Sequence, residues 1–282
     1  MSQDTHFRLE SRGRTLSLDE PAVMGILNVT PDSFYDGGKY ADPGKALAHA
    51  EKMIAEGAAI IDIGAVSTRP GSADPGEEEE LKRLMAVLPS LRKKFPDVFI
   101  SVDTFRSSVA GKAIAEGADI INDISGGTMD ENMFPFIAKK NIPYVLMHIR
   151  GTPDNMQHSP VYEDVVKEVK EFLVSRALQL KKAGASQLIL DPGFGFGKTV
   201  EHNFTLLSKL EQLASLGFPL LAGFSRKSMI TKFSGTGKNE ALNATTVLNT
   251  MALNKGARIL RVHDVKEATE AIRITSYLRG LC

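Results

Sequence analysis

Eight short apolar runs recur along the chain between residues 22 and 262. Each is rich in Ile, Val and Leu and lacks a clean alternation of polar positions, which is typical of parallel strands buried on both faces. The runs cover residues 22–27, 59–63, 98–102, 119–124, 143–147, 187–190, 219–222 and 258–262. Most gaps between them contain one amphipathic helix, so the pattern predicts an α/β chain that forms a (β/α)8 TIM barrel.

Two of the intervening helices carry clear boundary signals. The first is predicted over 43–56, with Asp42 as its cap, Pro43 as its first residue and Gly57 as its stop. The second is predicted as one helix over 77–94, with glutamates at its start and basic residues at its end, as the helix dipole favours.

Glycine and proline mark the starts of the runs in an alternating way. A Gly-Ala pair precedes every even-numbered run, and a proline stands at or before the start of every odd-numbered one. The four glycines, Gly57, Gly117, Gly184 and Gly256, are predicted to end helices in the left-handed conformation. A barrel whose alternate strands supply alternate interior layers explains such a distinction. The alternative is that Gly and Pro simply mark turns.

The N-terminal residues have a different pattern. Residues 7–18 alternate around Arg12-Gly13-Arg14, which predicts a small β-hairpin. No low-complexity segment, long charge block or linker divides the rest of the chain. We therefore predict a hairpin within residues 1–20 and one barrel over residues 21–282.

Composition narrows the class of protein. The 282 residues include 34 Lys and Arg and 34 Asp and Glu, and this zero formal charge argues against a nucleic-acid surface. The one cysteine, Cys282, excludes an intrachain disulfide and a Cys-based zinc site. There is no signal-peptide pattern and no apolar run of eighteen residues, so a soluble, cytoplasmic protein without a membrane partner is predicted.

Polar residues lie at or shortly after the C-terminal ends of the apolar runs, where a TIM barrel builds its active site. These candidates are Asn28, Asp62, Asp103, Asn122, Asp123, His148, Asp191, Ser225, Lys227, Arg261 and His263. Two long connections, 29–44 and 65–76, are interpreted as lids or binding loops rather than disordered segments. They carry Asp32, Ser33 and Asp36 in the first and Ser67, Thr68 and Arg69 in the second.

Two groups of these residues suggest ligands. Arg261 and His263 share one strand face, and with Arg69 and Asn28 they suit a phosphorylated ligand with Mg²⁺. The alternative is that Arg261 forms a buried salt bridge with Asp264 or a barrel carboxylate.

The second group suits a flat ring. Two aspartates, Asp103 and Asp191, with Asn122 and Lys227 match a heterocycle that has ring N–H, amino and carbonyl groups. The alternative, a metal held by these carboxylates, is weaker because no paired His or close carboxylate cluster supports it.

The run 191–199 resembles a phosphate-binding loop, but Pro192 stands where a Walker A motif requires glycine. We interpret it as a tight, glycine-shaped loop in which Phe194 or Phe196 covers a flat ligand. The remaining histidines, His6, His49, His158 and His202, show no ligand spacing and are predicted to be surface residues.

At these same residues the sequence resembles the dihydropteroate synthase family, the folate-pathway enzymes that sulfonamides inhibit. The matching stretches are residues 24–34, 36–38, 62–64, 67–71, 101–104, 121–123, 147–148, 151–153, 191–198, 223–227 and 261–265. The resemblance implies condensation of 6-hydroxymethyl-7,8-dihydropterin pyrophosphate with 4-aminobenzoate to 7,8-dihydropteroate and pyrophosphate, with Mg²⁺ as cofactor, by a homodimer. One residue departs from the family pattern: Val66 replaces a glutamate.

The resemblance also implies a role for each matching residue. The pterin would lie against Asp103, Asn122, Asp191 and Lys227, and its pyrophosphate against Thr68, Arg69, Arg261 and His263. Asn28 would meet Mg²⁺ and the pyrophosphate. The aminobenzoate would lie between Ser225, Lys227, Pro70 and Phe196. We predict Asp36, Arg69 and Lys227 as the catalytic residues, with Asp36 stabilising a cation on the pterin methylene.

Two other functions stay open from the residues. A methyltetrahydrofolate:corrinoid methyltransferase also uses a barrel and a pterin, but it expels no pyrophosphate and gives no reason for the cationic cluster. A non-catalytic pterin-binding protein would bind without forming product, although the loop residues Asp36, Thr68 and Arg69 count against it.

Overall fold

The computed structural model describes residues 6–30, 43–67, 74–157, 160–235, 237 and 240–281. It contains a two-stranded antiparallel hairpin followed by eight parallel strands that close into a barrel, with helices between them. The predicted fold class is therefore confirmed, including the N-terminal hairpin.

The hairpin consists of β1 (Arg8–Ser11) and β2 (Arg14–Ser17), with Arg12 and Gly13 at its turn. The barrel strands are β3 (Ala22–Asn28), β4 (Ala58–Gly64), β5 (Phe99–Asp103), β6 (Ile120–Asp123), β7 (Tyr144–Met147), β8 (Leu188–Asp191), β9 (Leu220–Ala222) and β10 (Ala257–Val262). Every predicted strand boundary lies within one residue of the observed one. Runs of Ile, Val and Leu predict the strand boundaries well here, because both faces of each barrel strand are covered and the strand is therefore mostly apolar.

The helices are α1 (Pro43–Ala55), α2 (Glu77–Met85), α3 (Leu88–Lys94), α4 (Ser107–Ala115), α5 (Met133–Lys140), α6 (Val165–Ala183), α7 (Val200–Ser208), α8 (Glu211–Ala214), α9 (Ser228–Ser234), α10 (Leu242–Asn254) and α11 (Val265–Arg279). The prediction of one helix over 77–94 is wrong, because the chain breaks between α2 and α3. Pro89 lies in the first turn of α3. Proline has no N–H to donate to the preceding turn, so it suits the start of a new helix and not the middle of a long one.

The glycines before the even-numbered barrel strands have the predicted conformation. Gly57, Gly117, Gly184 and Gly256 all have φ between 95° and 111°. A side chain rarely adopts this region, so glycine is required where each helix turns back into a strand.

The core has two main layers. The larger one lies between the sheet and the helices, and the smaller one fills the inside of the barrel. Leu9 and Leu18, from the hairpin segment, are buried against the interior residues, which include Met24, Ile60 and Phe99. The hairpin therefore covers the N-terminal end of the barrel and leaves the opposite end as the place for a site.

A buried carboxylate attaches the hairpin to the barrel. Asp119, just before β6, is fully buried and pairs with Arg14 of the hairpin and Arg92 of α3, each at 2.5 Å. Ser11 and the Ile100 amide donate to the same carboxylate at 2.8 and 2.9 Å. Within the described part of the chain, no helix is both long and apolar enough to span a membrane.

Candidate active site

Five predicted site residues meet at the C-terminal end of the barrel. In the strand register, Asp103 of β5 lies beside Asn122 of β6, and Asp191 of β8 lies beside Met147 of β7. Arg261 of β10 reaches across the barrel to Asp103. Lys227 follows β9 and interacts electrostatically with Asp191. The structure thus brings into one mouth residues that lie more than 150 positions apart in the chain.

Arg261 lies between two carboxylates. Its Nε–H donates to Asp62 Oδ2 at 2.7 Å, and its Nη2 donates to Asp103 Oδ2 at 3.0 Å. The alternative of a salt bridge with a barrel carboxylate is therefore correct, whereas Asp264 pairs with Arg226 at 2.6 Å. A guanidinium has five N–H donors, and these two bonds use two of them. The ion pairs therefore leave Arg261 able to bind an anion as well.

Burial changes the pKa of the Asp103 carboxyl group. Removal from water raises its pKa to about 7, with Arg261 lowering it and the neighbouring Asp62 raising it. An ordinary aspartate titrates near 3.9. The Asp103 carboxylate is therefore poised between its acid and ionised forms at neutral pH.

Asp62 links two site residues, although no ligand role is predicted for it from the sequence. Its Oδ2 accepts hydrogen bonds from both Arg261 and Asn122 Nδ2, the latter at 3.2 Å. Its Oδ1 is buried and has no hydrogen-bond partner among the described residues. The sequence does contain a signal for this linking role. Asp62 is a charged residue inside the apolar strand β4, and a buried carboxylate requires hydrogen-bond donors around it.

Asp191 and Lys227 form the other side of the mouth. Gly193 N donates to Asp191 Oδ1 at 2.7 Å, and burial raises the pKa of Asp191 while Lys227 opposes the shift. Burial also lowers the pKa of Lys227 to about 8. The Lys227 Nζ donates to Phe194 O at 2.5 Å and lies 4.7 Å from the centre of the Phe196 ring. The ammonium is therefore oriented by the loop after β8.

That loop uses its two phenylalanines differently. Phe194 is fully buried and packs against Phe224, with ring centres 4.4 Å apart. Phe196 is half-buried beside Lys227. Of the two aromatic residues proposed to cover a flat ligand, Phe196 is therefore the available one.

Ser225 and His263 connect the ends of the last two strands. Ser225 Oγ lies 2.9 Å from His263 Nδ1 and accepts from His263 N at 3.2 Å. Between Ser225 and Lys227, Arg226 adopts a left-handed φ of 57° and binds Asp264 through Nε and Nη2. A non-glycine residue in this region is strained, and the ion pair with Asp264 fixes the position of the Arg226 side chain.

The comparisons with known proteins agree with this geometry. A family model described as pterin binding enzyme matches residues 24–263. The dihydropteroate synthase of Escherichia coli K12 is 44% identical over 269 residues, which cover 95% of each chain. The chain belongs to the dihydropteroate synthase family of pterin-binding enzymes. The predicted family and synthase function are thus confirmed.

Solved dihydropteroate synthases have the same fold. The Yersinia pestis enzyme, in a sulfonamide drug complex, is 43% identical with a TM-score of 0.92 and covers 97% of this chain and 100% of its own. The Xanthomonas albilineans enzyme, with 4-aminobenzoic acid, is 40% identical with a TM-score of 0.91 and covers 98% and 99%. Similarity at this level extends over the whole barrel.

Several residues that the sequence singles out on the two long loops lie outside the described residues: Asp32, Ser33, Asp36, Thr68, Arg69 and Pro70. Their roles stay predictions. His158 also lies outside the described part. His6 and His49 are exposed as predicted, whereas His202 is half-buried and forms a capping box with Thr199 at the start of α7.

Asn28 offers an oxygen at the position where this family is expected to meet Mg²⁺. It ends β3, and a Cβ placed on neighbouring Gly64 would lie 3.1 Å from its Oδ1, so glycine leaves room for the amide. Mg²⁺ usually keeps several waters and takes one or two protein oxygens together with substrate phosphates. Asn28 fits that pattern. No group of three or more His, Cys, Asp or Glu suited to a metal occurs among the residues that the structure describes.

Proposed function

We propose that this chain condenses 6-hydroxymethyl-7,8-dihydropterin pyrophosphate with 4-aminobenzoate, forming 7,8-dihydropteroate and pyrophosphate. The observation that carries the proposal is the convergence of Asp103, Asn122, Asp191, Lys227 and Arg261 in one barrel mouth. Family membership and full-length similarity to dihydropteroate synthases support it.

The pterin ring is assigned to the deep part of the mouth. Ionised Asp103 and Asp191 accept hydrogen bonds from ring N–H and amino groups, while Asn122 both donates and accepts. Lys227 donates to the ring carbonyl. Because these groups are buried, a ligand that lacks the matching polar atoms leaves them unpaired and binds weakly.

The pyrophosphate is assigned to the cationic side of the mouth. Arg261 and His263 lie there, and Thr68 and Arg69 are expected to join them from the second loop. Asn28 would hold Mg²⁺ together with the phosphate oxygens. When bound, Mg²⁺ supplies charge neutralisation for the departing pyrophosphate.

The aminobenzoate is assigned to the outer part of the mouth, between Phe196, Ser225, Lys227 and Pro70. A sulfonamide shares the aromatic amine and would compete for this space. Binding of both compounds by related enzymes supports the assignment.

Departure of pyrophosphate leaves a carbocation on the pterin methylene, conjugated with the electron-rich reduced ring. The enzyme therefore has to stabilise an anion and a developing cation, rather than supply a strong base, because an arylamine is already nucleophilic. Arg69 and Arg261 serve the anion, and Asp36 serves the cation. Closure of the two long loops would exclude water, which otherwise captures the cation.

We also propose a cytoplasmic homodimer. Exposed apolar side chains on α10 and α11 support the dimer: Leu242, Val247, Met251, Ile274, Tyr277 and Leu278. These two helices pack against each other, so the side chains belong to neighbouring surfaces. We call this group the α10–α11 patch.

The function is tested by incubating the purified protein with Mg²⁺ and both substrates. Mass spectrometry should detect dihydropteroate, and pyrophosphate release should require both substrates. Arg261→Ala and Lys227→Ala should each reduce turnover at least a hundredfold while the circular dichroism spectrum stays native. Pterin binding without product would support a non-catalytic protein instead, and wild-type turnover by both folded variants would remove these residues from the site.

A further inference from the structure

Lys198 belongs to the run that resembles a phosphate-binding loop, but its side chain points back into the protein. The residue is only 3% exposed. Its Nζ donates to Gly193 O at 2.9 Å and Phe196 O at 3.0 Å, and lies 2.9 Å from His148 Nδ1. An ammonium has three N–H donors, and these three acceptors match them. No donor is left for a phosphate ligand.

The loop that Lys198 holds, residues 193–197, is packed tightly against the end of β7. A Cβ on Gly193 would lie 1.8 Å from His148 O, and one on Gly197 would lie 2.3 Å from Arg150 O. Both glycines have positive φ, 68° and 61°. The loop backbone therefore lies directly on the His148 segment, and Lys198 bonds across the same contact.

We propose that Lys198, together with His148, is a positioning residue that holds loop 193–197 in the shape that presents the Phe194 carbonyl and the Phe196 ring to Lys227. The loop carbonyl at 2.5 Å and the ring at 4.7 Å are the contacts through which it orients the Lys227 ammonium. Lys198 itself touches no substrate. The part of the inference that concerns 4-aminobenzoate rests on the proposed function.

The protonation state of His148 agrees with this arrangement. Burial and the charges of Lys198 and Arg150 lower the pKa of His148 to about 2, so the imidazole is neutral and carries its proton on Nε2 while Nδ1 accepts. Burial lowers the pKa of Lys198 well below its usual value, whereas the carboxylate of Asp191 and the three acceptors around Nζ favour the ammonium form. In the ammonium form that these acceptors favour, Lys198 donates to the neutral His148, and the two residues act as one donor–acceptor pair.

The structural part of the proposal is tested by hydrogen–deuterium exchange of the intact protein, without substrates. Lys198→Met keeps the length of the side chain but removes all three donors, and we expect the amides of 193–197 to exchange at least tenfold faster. Lys232→Met is the matched control, because Lys232 is an exposed lysine on the nearby helix α9. Unchanged exchange of 193–197 in a folded Lys198→Met variant would overturn the proposal.

The functional part is tested by steady-state kinetics on the same variants. We expect Lys198→Met to raise the KM for 4-aminobenzoate at least tenfold, with a smaller change in the affinity for pterin pyrophosphate, because the Phe196 side of the mouth loses its support. A loss of kcat with an unchanged aminobenzoate KM would argue for a direct catalytic role and against positioning.

His148 supplies a second pair of variants in case Lys198→Met unfolds. His148→Asn keeps an acceptor where Nδ1 stands, whereas His148→Leu removes it. We expect near-native loop exchange and aminobenzoate KM in His148→Asn and faster exchange with a raised KM in His148→Leu. Equal loop exchange and equal aminobenzoate KM in the two variants would overturn the proposed pair.

Failure of the proposed function would be recognised separately. Absence of product with the wild-type and Lys232→Met proteins would contradict the proposed function alone, because the hydrogen-exchange result does not depend on that function.

Discussion

At the scale of single residues, the site depends on how buried charges are paired. Arg261 bridges Asp62 and Asp103, which lie 199 and 158 positions away in the chain. A buried charge without a partner is costly, and removing one member of a buried pair typically costs about 3–5 kcal/mol. Burial is the main reason why the pKa of Asp103 stays high even beside an arginine, and Asp62, which shares the same guanidinium, raises it further.

The raised pKa of Asp103 predicts a pH dependence for pterin binding. Only ionised Asp103 accepts hydrogen bonds with both oxygens, so the affinity should fall as the pH decreases below about 7. Calorimetry with the unphosphorylated dihydropterin between pH 7 and 5.5 avoids titration of the pyrophosphate. We expect the Kd to rise about tenfold per pH unit once Asp103 is mostly protonated. Asp103→Asn is the control and should bind weakly with a flat profile, and a flat profile in the wild type would contradict the assignment.

Asp62 is expected to orient Arg261 and Asn122 together. Asp62→Asn keeps one acceptor oxygen and should lower kcat/KM about tenfold, whereas Asp62→Leu removes both and should lower it at least a hundredfold, about 2.7 kcal/mol. Steady-state kinetics on variants checked by thermal denaturation measure the effect. Native turnover in Asp62→Leu would show that Arg261 is held by Asp103 alone.

Residue types at the site were predictable, but their partners were not. Asp103, Asn122, Asp191, Lys227 and Arg261 all lie at or shortly after the C-terminal ends of apolar runs, and the strand ends of a barrel converge. Which carboxylate meets Arg261 depends on the strand register and on distances across the barrel. No spacing along the chain encodes these, so Asp62 lacked a predicted role.

At the scale of elements, glycine has two distinct uses in this chain. Before the even-numbered barrel strands, glycine adopts a positive φ, and a Gly-Ala pair in the sequence indicates these positions. In loop 193–197 it also provides space, because another part of the backbone lies where a side chain would be. The first use was predictable from the sequence, whereas the second depends on a contact with the segment after β7, which is distant in the chain. The break between α2 and α3 was also predictable from the local sequence, because Pro89 favours the start of a new helix.

Two glycine substitutions separate these uses. Gly193→Ala combines a positive φ of 68° with a Cβ that would lie 1.8 Å from His148 O, whereas Gly217 has a φ of 76° with no atom within 4 Å. We expect Gly217→Ala to cost about 1–2 kcal/mol of unfolding free energy from backbone strain. Gly193→Ala should cost at least about 1 kcal/mol more, because overpacking adds to the strain, and should abolish turnover. Urea denaturation compares them, and equal costs would mean that the loop moves freely away from β7.

At the scale of the whole molecule, the two ends of the barrel have different roles, one in stability and the other in forming the site. The N-terminal end is closed by the hairpin, with Leu9 and Leu18 in the interior and Asp119 between Arg14 and Arg92. The C-terminal end holds the polar site. This separation lets the site keep buried charges with incomplete pairing, such as Asp62 Oδ1, because stability is supplied at the other end. The strand count and the hairpin were predictable from periodicity, whereas the ion pairs that join them were not.

The α10–α11 patch provides the last prediction, which concerns assembly. Its side chains are between 38% and 71% exposed, and an apolar surface of this kind is typical of a protein interface. Met251→Glu and Tyr277→Glu would place charges in the centre of a dimer interface, where desolvation without a partner is costly. We expect each to weaken the dimer at least a hundredfold in sedimentation equilibrium, while the wild type sediments as a dimer. Leu178→Glu is the matched control, since Leu178 is 61% exposed on α6, which packs beside α5 and α7 away from the patch. A wild-type monomer, or a dimer that only Leu178→Glu disrupts, would contradict the assignment of this surface.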